Sequence, residues 1–450
     1  MSFKFFLGGD DLAIRTQTRS ITYTQFSNDI RRACNALNEE ALQSCCAYSF
    51  AGEDAYRALI WAFASAQLGK MFLPLNPQFT AEYRKSITSS FEGLCDLTEH
   101  ELSSSDQWLE RTFDVHKPWL VLMTSGSTGK PKGVVHSFSS LKHAAQSSIA
   151  FYDFKEGDTW LQSLGMFHIG GFMTAMRTLL GRGCLLMMGA AGDVKNQISQ
   201  NPVDFISLVP TQLSDILRDD KAVSSLEKSK AVLVGGASCP TVLLDEALEK
   251  RVPISVCYGS SETGAQFLAT KPGEPAKSVG YLGRLMPGRK ARFVDGDFQV
   301  SDEACYLGYY GDVLKSPNSV VKIPDHIRVD DGEYFFKGRK DSVFQSGGEN
   351  ISPEDIEQRL SIFDKEASIL ILELEDDRLG KVPQLLYMSE RKPDLHKLIE
   401  FIRESLPRFK RPRKILYTDP PSLDSKIVRK NFQAKADRAL FDCLWEGFIK

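Results

Sequence analysis

The chain has 450 residues, 42% hydrophobic and 25% charged, with a formal net charge of −3. That balance is ordinary for a soluble globular protein of two or three domains and shows no bias toward nucleic acid or a membrane surface. Nine cysteines are scattered without a CxxC pair, the adjacent Cys45 and Cys46 are poor partners for each other, and the seven histidines have no metal-ligand spacing such as HExxH. This usage predicts mostly buried thiols in a reducing cytoplasm and no structural metal site.

At the N-terminus, MSFKFFLGGDDLAIR has too short an apolar run for a secretory signal. No later segment approaches the roughly 18 apolar residues of a membrane span. The stretch 58–72, ALIWAFASAQLGKMF, has helical spacing and leads into LPLNP. VDFISLVP (203–210) reads as a buried strand, followed by the helix TQLSDILRD. KAVLVGGA (230–237) repeats the strand signal, LLDEALEKR (243–251) a helix, and PISVCYGS (253–260) a further strand. Alternation of this kind predicts an α/β fold with parallel sheets covered on both faces by helices.

The pattern changes near residue 338. Ser352-Pro353-Glu354-Asp355 is a helix start with proline at the first position and an acid at the third. Two strands (EASILILEL, VPQLLYMS), a helix (DLHKLIEFIRESL) and a basic segment (PRFKRPRK) follow. The expected organisation is a large domain over residues 1–340 and a small α+β domain over 341–450, with a hinge at Asp341.

Between two apolar runs lies TSGSTGKPKGV (124–134). Thr124, Ser125, Ser127 and Thr128 offer hydroxyls, Gly126 and Gly129 let the backbone come close, and Lys130 and Lys132 add charge, a combination suited to an anion. A surface turn would use the same glycines and serines, but it needs neither the two lysines nor the four hydroxyls. The P-loop pattern GxxxxGK[ST] does not fit, because the sixth position from Gly126 is Pro131.

This loop resembles the phosphate loop of the adenylate-forming enzymes, the acyl- and aryl-CoA ligases, luciferases and peptide-synthetase adenylation domains. Further matches follow in that family's order: FHIGG (167–171), GGA (235–237), YGSSETG (258–264), GRKD (338–341), SGGENISPEDIE (346–357) and SKIVRK (425–430). The resemblance implies a mobile C-terminal domain and an active site used twice, once to adenylate a carboxylate with ATP and once to pass it to CoA. It places Lys426 between carboxylate and α-phosphate, Glu262 on Mg²⁺, and Tyr258, Gly259 and Ser261 with Gly235, Gly236 and Ala237 around the adenine. Ser261 stands where the family has threonine, and Ser425 replaces the glycine before the lysine. The ribose-binding Thr-Gly-Asp string is absent; counted back from Gly338 its aspartate falls at Asp325, with Asp330 as the alternative and Arg339 beside it.

For the acid, FHIGGFMTAMRTLL (167–180) sets His168 nine residues before Arg177 in an apolar stretch. Either a carboxylate of the protein itself satisfies Arg177, or the guanidinium receives a second carboxylate of the substrate. The FH-to-Arg spacing and SLVPTQL (207–213) resemble the o-succinylbenzoate–CoA ligases of bacterial menaquinone synthesis. That likeness implies a pocket of His168, Arg177, Thr211, Gln212 and Ser261, with His168 also at the catalytic centre. Alternatives are a CoA ligase for another aryl or fatty acid, or a nucleotide-binding protein that has lost catalysis. A carrier-loading domain would normally be followed by a carrier, for which the sequence has no room.

Overall fold

The computed structural model describes residues 9–105, 113–125, 131–187, 194–237, 239–278, 280–314, 319–340, 342–346, 349–420, 429–447 and 449. Two compact units are present. One is formed by residues up to 238 with 247–274 and 283–322, the other by 239–246, 275–282 and 323–450.

In the first unit, one sheet carries Ala265–Ala269, Ile254–Ser260, Ala231–Val234, Phe205–Leu208, Thr159–Leu161, Cys184–Met187, Leu12–Thr16 and Ser20–Thr22 as successive neighbours. From Ile254–Ser260 to Leu12–Thr16 the pairing is parallel. Phe205–Leu208 and Ala231–Val234 are buried at every position, which is why they read as unbroken apolar runs rather than alternating ones. A second sheet runs Gly308–Tyr309, Pro131–Ser137, Pro118–Ser125, Met71–Pro74, Ala47–Phe50 and Leu94–Asp96. The sheets are mixed rather than purely parallel, because Ile254–Ser260 turns back on Ala265–Ala269 and Pro118–Ser125 on Pro131–Ser137. Those two reversals are where the glycine-rich motifs sit.

Helices Tyr23–Leu37, Ala55–Gln67, Phe138–Tyr152 and Ile169–Leu180 contribute to a common core. Ala55–Gln67 is buried on all sides, consistent with its nearly uninterrupted apolar sequence. It ends at Gln67, where Gly69 adopts φ +67° and Met71 opens a strand, so the helical reading of 58–72 runs too long. Trp119 lies at the centre of this core, its ring packed against Phe63, Phe138 and Phe172, and its Nε1–H donates to the Ala62 carbonyl at 2.7 Å.

In the second unit, Asp325–Asp330 and Glu333–Arg339 form an antiparallel hairpin. A further sheet joins Glu349–Ile351, Phe344–Ser346, Gly380–Met388, Lys414–Thr418 and Asp442–Glu446, with Ser368–Asp376 paired on Gly380–Met388. Ile371 faces a core with Ile356, Leu360, Leu398 and Ile402, while its neighbours Leu370 and Leu372 face Phe432. The sheet is thus covered by helices Pro353–Leu360 and Leu395–Ser405 on one face and Arg429–Asp437 on the other. The α+β expectation for this region holds. Asp341 lies outside the described residues.

The reading of all cysteines as mostly buried thiols needs correction. Cys45 and Cys95 form a disulfide, because the parallel pairing of Ala47 with Leu94 sets their Cα atoms 6.0 Å apart. Of the rest, Cys34, Cys184 and Cys305 are buried, whereas Cys46 and Cys443 are exposed. Among the described residues no helix is long and apolar enough to cross a membrane.

Replacing Trp119 with alanine removes a buried indole from the strand that leads into the phosphate loop. The expected loss is about 3–5 kcal/mol in urea unfolding, with a smaller loss for Trp119→Phe, which keeps most of the ring packing.

Candidate active site

The strands on either side of the TSGSTG segment pair with each other. Pro118–Ser125 and Pro131–Ser137 run antiparallel with Thr124 opposite Lys132, and the Thr124 hydroxyl donates to the Lys132 carbonyl at 3.3 Å. The tip, with Gly126, Ser127, Thr128, Gly129 and Lys130, lies outside the described residues, as does the Ser125 side chain. Gly133 is required just below it, since a Cβ there would sit 2.8 Å from Val121.

Lys132 Nζ lies 5.0 Å over the ring of Tyr309, and the Tyr309 hydroxyl donates to Glu262 Oε1 at 3.0 Å. Burial, together with the Glu262 carboxylate, holds the Tyr309 phenol well above its ordinary range, so it stays a donor. No cation among the described residues lies within ion-pairing distance of Glu262. The described residues contain no cluster of three His, Cys, Asp or Glu side chains that could cage a metal alone. One carboxylate without a protein counter-charge is what a Mg²⁺ held mainly by phosphate oxygens and water requires.

Several contacts fix the backbone around Glu262. Ser260 N–H donates to Thr263 Oγ1 at 2.8 Å, and Gly264, at φ +67°, has no room for a Cβ beside the Ala304 carbonyl. Arg289 is fully buried against Asp302 at 3.0 Å and also donates to the carbonyls of Gln266 (2.9 Å) and Thr263 (2.8 Å). His136 Nε2–H donates to the Ser261 carbonyl at 2.7 Å, which ties the strand after the phosphate loop to this turn. Because a carbonyl only accepts, Nδ1 is the unprotonated nitrogen and faces the Ser140 hydroxyl at 3.2 Å. Burial lowers the His136 pKa to about 4.

The adenine-side candidates converge on the same strands. Ile254–Ser260 carries, two residues before its end, the half-buried Tyr258, whose ring lies 5.5 Å from Phe267. Gly259 pairs with Gln266 so closely that a Cβ would meet the Ala265 carbonyl at 2.0 Å. Gly235 sits against Cys257, and Gly236 and Ala237 are exposed beyond it.

The acid-side candidates do not all meet. Arg177 is 2% exposed and donates through Nη2 to Gln266 Oε1 at 2.6 Å; its carbon Cζ lies 5.5 Å from the Trp160 ring centre. Nε has no hydrogen-bond partner, and no carboxylate among the described residues pairs with this guanidinium. Burial lowers its pKa to about 10, which leaves it charged at neutral pH. Among the described residues, then, no internal salt bridge satisfies Arg177. His168 is the exposed N-cap of the helix Ile169–Leu180. Nine residues of helix separate the two by roughly 13 Å along the axis, too far to grip one carboxylate together. Thr211 is exposed, and the Gln212 amide is taken up by the backbone, accepting from Val209 N–H at 3.1 Å and donating to the Ser163 carbonyl at 3.2 Å.

Residues 84–304, which span these groups apart from Tyr309, match the family of AMP-binding enzymes. The chain carries an AMP-binding enzyme domain. It is similar over 94% of its length, at 25% identity, to 95% of the 2-succinylbenzoate–CoA ligase of Bacillus pumilus. At 26% identity, 95% of it aligns with 96% of the indoleacetate–CoA ligase of Aromatoleum aromaticum. The o-succinylbenzoate CoA synthetase of Bacillus subtilis, solved with its acyl-adenylate intermediate, has the same fold, with a TM-score of 0.81 and 22% identity over 94% of this chain and 95% of that one.

Beyond the AMP-binding domain, the second unit sets Asp325 directly opposite Arg339, their side chains 3.7 Å apart. Asp330 is at the exposed end of the same hairpin, paired with Arg328 at 2.7 Å. Lys426 lies outside the described residues, but Arg429, three positions on, is anchored to Glu354 (2.8 Å) and Glu357 (2.5 Å) of the helix that follows SGGENIS. Glu354 also accepts from Ser342 at 2.7 Å and contacts the Ser352 hydroxyl at 3.4 Å. Gly338 passes so close to Ser352 that a Cβ would lie 2.2 Å from its hydroxyl.

His136, Tyr309, Gln266 and the Arg289–Asp302 pair are absent from the sequence reading. Only His136 offered a signal, as a lone histidine in the apolar run after the phosphate loop.

His136 makes stability pH-dependent. Its folded pKa of about 4 lies below the 6.5 of an ordinary histidine, so between those values the unfolded chain binds the extra proton and stability falls as pH drops. This group alone should cost about 2 kcal/mol between pH 7.5 and pH 5. Urea unfolding of wild type and His136→Gln at both pH values should show a smaller acid loss in the variant, by about that amount.

Proposed function

We propose that this protein is an ATP-dependent, AMP-forming CoA ligase whose acid is o-succinylbenzoate, serving menaquinone biosynthesis in the cytoplasm, where ATP and CoA are supplied. The observation that carries the choice of acid is Arg177: a buried, charged guanidinium whose hydrogen-bond partner among the described residues is a neutral amide. A buried cation without a counter-ion is costly. A substrate bearing a second carboxylate removes that cost on binding, and o-succinylbenzoate has one carboxylate to activate and one to be held. Relatives at about this identity bear that activity in their names.

A carboxylate is a poor electrophile at neutral pH. In the first step its oxygen attacks the α-phosphorus of ATP, the bond to pyrophosphate breaks, and an acyl adenylate forms. In the second, the sulfur of CoA attacks the acyl carbon, AMP leaves and the thiol proton is released. Thr124 and Lys132 with the intervening loop hold the phosphates, and Tyr258 with Gly235, Gly236 and Ala237 encloses the adenine. Asp325 and Arg339 bind the ribose, the directly opposed pair being favoured over Asp330. Mg²⁺, held at Glu262, neutralises phosphate charge when bound. Lys426 supplies positive charge where the two anions meet, and Asp341 is the hinge. Tyr309 orients Glu262, and neutral His136 fixes the turn that carries it.

Lys426→Ala should slow adenylate formation, followed by pyrophosphate release, by about 10²–10³-fold. Transfer from a supplied acyl adenylate to CoA should be largely preserved. Equal loss in both half-reactions would rule out this role.

For the acid, Arg177→Ala should lower kcat/KM for o-succinylbenzoate by about two to four powers of ten. The KM for ATP should hardly change. A wild-type preference for indoleacetate would overturn the substrate assignment.

A further inference from the structure

We infer that Gln266 determines the preference for a two-carboxylate acid, by holding the Arg177 guanidinium in place without cancelling its charge. This rests on the reading of Arg177 above and adds a second residue to it.

The two ends of the Gln266 amide are distinguished by their partners. Its Oε1 accepts from Arg177 at 2.6 Å, and its Nε2 donates to the Ser148 hydroxyl at 3.3 Å. Its backbone is fixed as well, since its carbonyl accepts from the buried Arg289 and its strand position lies opposite Gly259. The acceptor offered to Arg177 is therefore set by a rigid element and has one orientation.

The other neighbours of Arg177 are also uncharged. The Trp160 ring lies under the guanidinium. Tyr152 and Cys257, 3.3 Å apart, are both held in their neutral forms by burial. Neutral dipoles and a π-face make the buried cation tolerable. Unlike a carboxylate, they leave its full charge for a ligand. Glutamate at position 266 would keep the acceptor oxygen at nearly the same size and convert the contact into an internal ion pair. Ser148, a hydroxyl that can donate as well as accept, would still satisfy the other oxygen. Position 266 is thus where one atom decides whether Arg177 recognises a substrate or a neighbour.

The test is kcat/KM for o-succinylbenzoate and for indoleacetate, which has a single carboxylate, in wild type, Gln266→Glu and Gln266→Leu. Gln266→Glu should lower the value for o-succinylbenzoate by about 10²-fold through loss of the charge attraction and leave indoleacetate nearly unchanged. Gln266→Leu keeps the cation but frees it, and should raise KM for o-succinylbenzoate by about tenfold, the loss of one hydrogen bond to a charged group. That variant tests the positioning role even if the glutamate variant does not fold. A merely structural residue would depress both acids equally, and equal loss in either variant, or an unchanged ratio, overturns the inference. If wild type itself prefers indoleacetate, the substrate reading fails and this inference with it. If wild type prefers o-succinylbenzoate and the ratio does not move, only the inference fails.

Discussion

The buried pair of Arg289 and Asp302 is the contact on which the geometry of this site depends. Taking two charges out of water costs more than their mutual attraction returns unless the remaining donors and acceptors are also used. Here they are. Arg289 spends its other N–H groups on the carbonyls of Thr263 and Gln266, and Asp302 accepts from the amides of Lys290 and Ala304. The result is a clamp on both ends of a four-residue span that begins just after Glu262 and ends at the partner of Arg177. The backbone just after Glu262 and that of Gln266, which accepts from Arg177, are fixed by one guanidinium.

The site is economical with charge. His136 and Tyr309 lie within hydrogen-bonding distance of the Glu262 turn, yet both are kept uncharged by burial. They orient the turn without adding charge beside Glu262. Arg177 is the converse case, a cation surrounded by neutral groups. In a medium of low dielectric such uncompensated charges act strongly on whatever ion arrives, which suits a reaction whose substrates are all anions.

What could be read from sequence divides by range. YGSSETG and GGA carry local signals: glycines where a Cβ would strike backbone, hydroxyls and charges within a few residues. The buried strands were legible because both faces are covered and their apolar runs are unbroken. Contacts between distant segments left no such mark. Arg289 and Asp302 look like ordinary surface charges in isolation, and Tyr309 like any strand tyrosine. Gln212 shows the same limit, since a glutamine that caps its own helix and one that lines a pocket have the same local sequence. The Cys45–Cys95 bridge depends on which strands become neighbours, which spacing alone does not reveal. The overlong helix at 58–72 arose because LGKMF keeps the apolar period although Gly69 has already turned the chain.

In the second unit, Glu354 gathers the hydroxyls of Ser342 and Ser352 and the guanidinium of Arg429. The stretch from Ser342 to Glu354 and the distant Arg429 are thereby knotted around one carboxylate. Such a knot gives the unit the mechanics of a single solid piece with little internal play.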